Sequence, residues 1–406
     1  MNLQKTLSGF IGGTLALGGV GGLGSPALGQ DDDCVQADVL WSQDRDTQTG
    51  YLSVSVDGPL AVTTAYGAEM DIIGVMGAGL PGVLSIYGVE VPGPYRFVYD
   101  AHIAGRIAYI AIDGWGFQGI LAVDLNDPFS PSAMGTLDVG GNRNIQVVGD
   151  TLYAQLGNSE SGLFRVVDVS DPGAMSVHSE VETDGLIGDM AVVGSLLYIS
   201  DGDAGMVIYD VSDPAAPALV GSYAAPGLNA RDIEVEDERA FVLSDGKLTV
   251  LDVSDPTEPG LLGEFTIPSA ADPFFIAGNN LAVDGDDAYV MNGRAELLVL
   301  DVSDPGAVGV IGVNASIGLI SDIAVQDDEL YAVDQSTGLK ILDVSNSCDV
   351  VCSVDMNGDG ALNFFDVSAF ITAFANQDPA ADFNSDGSFN AFDLSAFLSG
   401  FAAGCP

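Results

Sequence analysis

A short phrase built on Asp-Val-Ser-Asp-Pro returns along the chain, and its spacing constrains the fold more than any other feature. It reads VDLNDP at Val123–Pro128, VDVSDP at Val167–Pro172, YDVSDP at Tyr209–Pro214, and LDVSDP at both Leu251–Pro256 and Leu300–Pro305. A degraded copy, LDVSNS, lies at Leu342–Ser347. Successive copies stand about 42 to 49 residues apart, the length of one propeller blade. Each unit holds an alternating stretch such as Asp322–Val325, a second such as Leu330–Val333, the phrase itself, and an outer stretch such as Leu219–Tyr223. Period-2 alternation with Gly, Asp and Pro punctuation makes these four short strands. A weaker copy at Ser53–Val75 brings the units to seven. The seventh stops after its third strand at Asp343, and the strand-like segment Val35–Trp41 is expected to supply the fourth. Closing the ring in this way removes an unpaired sheet edge.

The expected fold class is therefore an all-β seven-bladed propeller over residues 34–348, followed by a small helical module at 352–406. The repeated words resemble the LVIVD-repeat family of secreted β-propellers over most of residues 50–347. That resemblance implies the fold and leaves the biochemical role open. Asp168, Asp210, Asp252 and Asp301 are read as turn formers, since an Asp side chain bonds backbone N–H groups two residues on.

Aligning the units on the second strand exposes a ring of short polar residues: Ser53, Asp100, Asn144, Asp189, Asp232, Asn280 and Asp322. Each begins an innermost strand, and in a propeller those starts converge at one mouth of the central channel. Two residues further on stand Ser55, His102, Gln146, Ala191, Glu234, Ala282 and Ala324, which places His102 and Glu234 toward the same channel. Two readings of the ring stand side by side. Its members cap neighbouring blades, or its clustered carboxylates hold a cation or ligand. On the same face the segment Asp113–Gly119 carries Trp115 and Phe117 in a turn, where an exposed Trp suits stacking on a sugar, a buried blade contact being the alternative. The entering segments Pro92–Tyr99 and Ser269–Asn279 are expected as long loops.

The C-terminal signal is of another kind. Asp355, Asn357, Asp359, Asn363 and Asp366 occupy positions 1, 3, 5, 9 and 12 of one twelve-residue loop, with Gly360 at 6 and the carbonyl of Ala361 at 7. Asp382, Asn384, Asp386, Asn390 and Asp393 repeat the set, with Gly387 and the carbonyl of Ser388. Ca²⁺ takes six to eight hard oxygens, and this spacing wraps them around one point. Each loop leads into an apolar stripe, Val367, Phe370, Ile371 and Phe374, then Leu394, Phe397, Leu398 and Phe401, so two helices are expected to bury their stripes together. The duplicated pattern over Cys352–Pro406 resembles dockerin domains of the GC type. The resemblance implies calcium as cofactor and a cohesin-like or other scaffold protein as partner. Phe364-Phe365 and Ala391-Phe392 stand at loop positions 10 and 11, where cellulosomal dockerins carry Ser/Thr-type recognition residues, so a different partner surface is implied.

Compartment follows from the N-terminus. A basic start, an apolar run from Leu7 to Gly24 and small residues Ala27 and Gly29 predict a secretory signal peptide over residues 1–29. Four cysteines suit an oxidising compartment. Position favours Cys34 with Cys348 and Cys352 with Cys405, free or otherwise paired thiols being the alternative. With 58 acidic residues against 11 Lys plus Arg, a net charge of −47, no basic patch for nucleic acid or an anionic membrane can be assembled. Two histidines, His102 and His178, make a His triad or His-rich zinc site hard to build. The expected function is a secreted, non-enzymatic binding protein at the cell surface or in an extracellular assembly, its propeller free to take a glycan or a protein. The alternative is a polysaccharide-degrading enzyme acting from the propeller face.

Overall fold

The structure, a computed structural model, describes residues 38–43, 51–65, 69–75, 81–89, 95–156, 162–268, 281–291, 297–314, 320–334, 338–344 and 364–376, together with Met356, Ala381, Leu394, Phe397 and Phe401. The expected signal peptide, the four cysteines, Asn280 and the calcium-loop donors lie outside these residues, apart from the backbone of Asp366.

Seven four-stranded antiparallel sheets follow one another. The first strand in the chain, β1, is Asp38–Gln43. Blade one is β2 (Tyr51–Asp57), β3 (Leu60–Ala65), β4 (Glu69–Gly74) and β5 (Gly82–Gly88). Blade two is β6 (Tyr95–Ala104), β7 (Ile107–Trp115), β8 (Gln118–Asp124) and β9 (Ser132–Asp138). Blade three is β10 (Asn142–Val148), β11 (Thr151–Leu156), β12 (Gly162–Asp168) and β13 (Ser176–Thr183). Blade four is β14 (Met190–Val193), β15 (Leu196–Ser200), β16 (Met206–Asp210) and β17 (Ala218–Tyr223). Blade five is β18 (Ala230–Glu236), β19 (Arg239–Ser244), β20 (Lys247–Asp252) and β21 (Gly260–Thr266). Blade six is β22 (Leu281–Asp284), β23 (Asp287–Met291), β24 (Leu297–Asp301) and β25 (Gly309–Asn314). Blade seven is β26 (Ile320–Gln326), β27 (Glu329–Asp334) and β28 (Gly338–Asp343), and β1 adds its fourth strand with Asp38 opposite Asp343 and Gln43 opposite Leu339. The innermost strands touch in the order β2, β6, β10, β14, β18, β22, β26 and back to β2, so the ring is closed.

The core lies between blades. Seven apolar clusters each join one blade to the next, from the pair Met70 and Ile110 to the closing group Tyr51, Ala61, Tyr331 and Ile341. The aromatic on each second strand, from Tyr109 to Tyr331, is buried in these seams. Stability thus comes from stacking neighbouring units, none of which can bury both its faces alone.

The Asp-Val-Ser-Asp-Pro turns are built as the sequence implies. Asp168 Oδ1 accepts the N–H of Ser170 at 2.9 Å, and Asp171 Oδ1 accepts that of Gly173 at 2.9 Å. The same pair of side-chain turns recurs from Asp210, Asp252 and Asp301. The Val between the two turns is buried, and its N–H reaches back to the first hairpin of its own blade, as Val169 N to Asp150 O at 2.9 Å.

Three expectations are corrected. The segment before Asp100 is not a loop from Pro92 to Tyr99, because β6 already begins at Tyr95. Trp115, for which sugar stacking is expected, ends strand β7 and is not in the turn, while Phe117 lies between β7 and β8, is 8% exposed and packs into the seam of blades one and two. Near the C-terminus α1 spans Phe364–Asn376, and Phe370 stacks on Phe397 with centroids 4.1 Å apart and an interplanar angle of 5°. Met356, Val367, Phe374 and Phe401 pack around that pair, so members of the two stripes touch, but α1 is the one helix among the described residues and most of the expected second helix lies outside them. Ile371 and Leu394, at 59% and 43% exposure, stand outside the contact.

Candidate functional site

Five ring residues sit just after a one-residue bulge on the innermost strand. Pairing skips between Tyr51 and Ser53, Val98 and Asp100, Asn142 and Asn144, Ala230 and Asp232, and Ile320 and Asp322. A bulge bends the strand and re-aims the side chain that follows. The re-aimed side chain reaches the next blade. Ser53 Oγ accepts the N–H of Ala101 at 3.3 Å, and Asp100 Oδ2 that of Ile145 at 2.9 Å. Asp232 Oδ2 accepts from Leu281 N at 3.0 Å, and Asp322 Oδ2 from Val54 N at 2.8 Å. Each acceptor therefore holds the backbone N–H one residue beyond the next blade's ring position. Between blades three and four the link changes character. Asn144 Nδ2 donates to Asp189 Oδ1 at 2.7 Å, and the facing Asp232 carboxyl helps to raise that of Asp189.

A further tier escaped the sequence reading. Four residues beyond the ring position, Gln326 exchanges two 3.0 Å bonds with Gly58, Glu236 Oε2 accepts the N–H of Gly285 at 3.0 Å, and Asp57 accepts that of Gly105. The signal was present as polar residues at period 2 along the inner strands, but nothing in one strand says that its partner is the neighbouring hairpin.

Between the tiers lies a cavity of about 240 Å³ on the propeller axis. Six of the seven innermost strands line it, and its polar walls are Ser55, Asp100, His102, Gln146, Glu234 and Asp322. His102 and Glu234 thus face the channel together, as the alignment implies. No Lys or Arg lines it.

Burial sets the charges. Burial pushes the Asp100 carboxyl up to about 6 despite the N–H groups of Ile145 and Ala101. Burial, then the facing Asp232, holds Asp189 well above the usual carboxylate range. Burial and the nearby Asp100 charge do the same to Asp322. Glu234, desolvated and facing Asp189 and Glu236, is raised to about 8. Burial lowers His102 to about 4, the charge of Asp57 offsetting only part of it. At neutral pH His102 is therefore neutral and Glu234 holds a proton much of the time. Among the described residues no group of three or more His, Cys, Asp or Glu is placed to hold a metal ion.

Closed ring, four-stranded blades and axial cavity define a seven-bladed β-propeller. More particularly, it carries LVIVD repeats, matched at residues 140–183, 184–225, 227–267, 277–313 and 317–354. No curated protein matches the chain. Among solved structures the fold is similar to a functionally unknown protein from Desulfotomaculum acetoxidans (14% identity, TM-score 0.55, covering 72% of this chain and 88% of that one). It is also similar to Sqt1 of Saccharomyces cerevisiae (11% identity, TM-score 0.53, covering 75% and 88%). A third is the computationally designed protein Ika8 (7% identity, TM-score 0.51, covering 75% and 99%). Identities this low speak to the fold alone.

Proposed function

We propose that this protein is a secreted, non-enzymatic binding protein in which the propeller is a rigid platform and residues 352–406 are a calcium-dependent dockerin-like tail. The observation that carries the reading is the spending of the ring. Ser53, Asp100, Asp232 and Asp322 hold backbone N–H groups of the following blades, so the ring carboxyls that would serve a glycosidase are tied up as structure. A rigid ring with a small axial cavity suits recognition better than hydrolysis of a polymer.

For the tail, the donor set is all oxygen at loop positions 1, 3, 5, 7, 9 and 12, which fits Ca²⁺ and no soft metal. The stacked pair Phe370 and Phe397, one from each of two segments 27 residues apart, supports paired loop–helix units. Calcium would neutralise the loops and let the pair close on its aromatic seam. Docking to a cohesin-like or other scaffold protein then places the propeller in an extracellular assembly.

Calorimetric titration of the full chain with Ca²⁺ tests the tail. Two sites are expected, and the variant carrying both Asp359→Ala and Asp386→Ala should lose at least ten-fold in affinity. Unchanged calcium heat in that variant would refute the loops as the calcium device.

A further inference from the structure

The seven positions two residues beyond the ring are not equivalent, and their inequality marks a ligand site. Ser55 Oγ accepts the N–H of Ile103 at 3.1 Å and so serves as another inter-blade latch. Ala191, Ala282 and Ala324 carry no polar group. That leaves His102, Gln146 and Glu234, and none of the three makes a hydrogen bond or ion pair among the described residues. All three line the axial cavity. A repeat that needed only structure at this level would keep Ala or a latch in each blade. Here three blades instead bring an imidazole, an amide and a carboxyl to the wall of one axial cavity, and Ala282 and Ala324 on the facing strands leave that space free of bulk.

The chemistry of the walls selects the occupant. The Glu234 carboxyl supplies acceptors, as do the Gln146 carbonyl oxygen and the unprotonated nitrogen of a neutral His102, while Asp100 and Asp322 on the same wall are held by their backbone N–H groups. Donors are few, and no basic side chain is present, so an anion is repelled. A bare metal ion lacks three ligands at coordinating distance among the described residues. Aliphatic groups, Val56, Val283 and Val325, fill the rest of the wall and suit a short hydrocarbon chain. We propose that the axial cavity binds a small organic ammonium ion, with Glu234 holding the charge, Gln146 and His102 accepting its N–H groups, and the valines covering its chain. A volume of about 240 Å³ limits the ligand to a compact molecule of a few heavy atoms. This rests on the binding reading and deepens it by naming the ligand class of the propeller.

The test uses the full chain in saturating Ca²⁺, so that the state of the tail is fixed, and titrates in 1,4-diaminobutane by calorimetry. A saturable one-to-one heat is expected. Glu234→Gln should weaken binding at least ten-fold, because Glu234 gives up its proton to become the counter-ion when the ammonium binds and an amide cannot, while the thermal midpoint should not fall, since in the empty protein Gln replaces a carboxyl that burial holds largely protonated. Ala324→Leu, which fills the space without touching a polar wall, should abolish binding as well. Asp301→Asn, on an exposed turn, should leave it unchanged. No saturable heat in the wild type, or equal affinity in Glu234→Gln, overturns the proposal. Heat with additional Ca²⁺ that Glu234→Gln removes, without any with the diamine, also overturns it and makes the cavity a metal site. Loss of calcium heat in the tail variants leaves the diamine titration untouched, so the two readings fail separately.

Discussion

Glycine and serine alternate at one position on the outer strands, and the reason is the neighbouring blade. Ser85 Oγ donates to the carbonyl of Pro128, and Ser179 Oγ to that of Pro214 at 2.7 Å. Where the position is Gly135, Gly221 or Gly263, an added Cβ would overlap the carbonyl of Pro172, Pro256 or Pro305. The Asp-Pro turn of one blade thus seats on the outer strand of the blade before it. A hydroxyl meets the carbonyl at the serines, and bare backbone meets it at the glycines. Gly263→Ala should therefore destabilise the protein by about 2 kcal/mol, because the clash is with backbone that cannot rotate away. Urea denaturation measures it, and a change below ~0.5 kcal/mol would mean that the turn moves freely.

At the scale of elements, the innermost strand does three jobs with one alternation. Its even positions bond forward to the next blade, its odd positions fill the seams, and the level between two sets of latches faces the cavity. Asp322 is the latch of the closing seam, accepting from Val54 N at 2.8 Å and from Ile323 N at 2.9 Å. Asp322→Ala leaves both N–H groups without a partner in a buried place, which costs about 1–3 kcal/mol. Denaturant midpoints at pH 6 check the sign. A gain in stability would show that the carboxyl is an electrostatic load and not a latch. Blade seven shows what closure requires, since β28 pairs on its far side with β1 from the opposite end of the chain. Of the expected strand Val35–Trp41, residues 38–41 lie in β1, which runs on to Gln43, and residues 35–37 lie outside the described residues.

For the molecule as a whole, the ring makes stability depend on pH in an unusual direction. Asp100, Asp189, Glu234 and Asp322 all hold protons more tightly folded than unfolded. Above about pH 4 the unfolded chain releases these protons while the fold retains them, so folding stability falls as pH rises toward about 8. His102 opposes this between its ordinary 6.5 and about 4, where stability rises with pH, but it is one group against four. The exposed Asp168, Asp210 and Asp252, lowered by their own turn hydrogen bonds, add stability only as pH rises through the acid range. Thermal midpoints should therefore decline from pH 5 to pH 8.5. Glu234→Gln should flatten the part between pH 6 and 8.5, a gain on the order of 1–3 kcal/mol at the upper end. A midpoint that rises across this range would show that the channel carboxyls are solvated like surface groups.

The sequence by itself determined the architecture of the propeller, because period-2 alternation recurs in all seven blades and the Asp-Val-Ser-Asp-Pro turn, or a variant of it, in six, and both are local physics. Each turn is closed by an Asp side chain two residues from its donor, and each strand reads out its own buried face. The positions of the ring residues were legible for the same reason, as a column in the repeat. What those residues do was decided only by the tertiary structure. Whether Asp100 or Asp322 holds a ligand or a neighbour depends on the bulge before it and on a backbone N–H supplied by another blade. Phe117 reads as a turn aromatic until a neighbouring blade buries it. Glu234 and Asp322 are the same kind of group in the sequence, yet one is spent on a latch and the other faces open space. That difference arises from which side chains seven strands bring to a common axis, a property no single strand encodes.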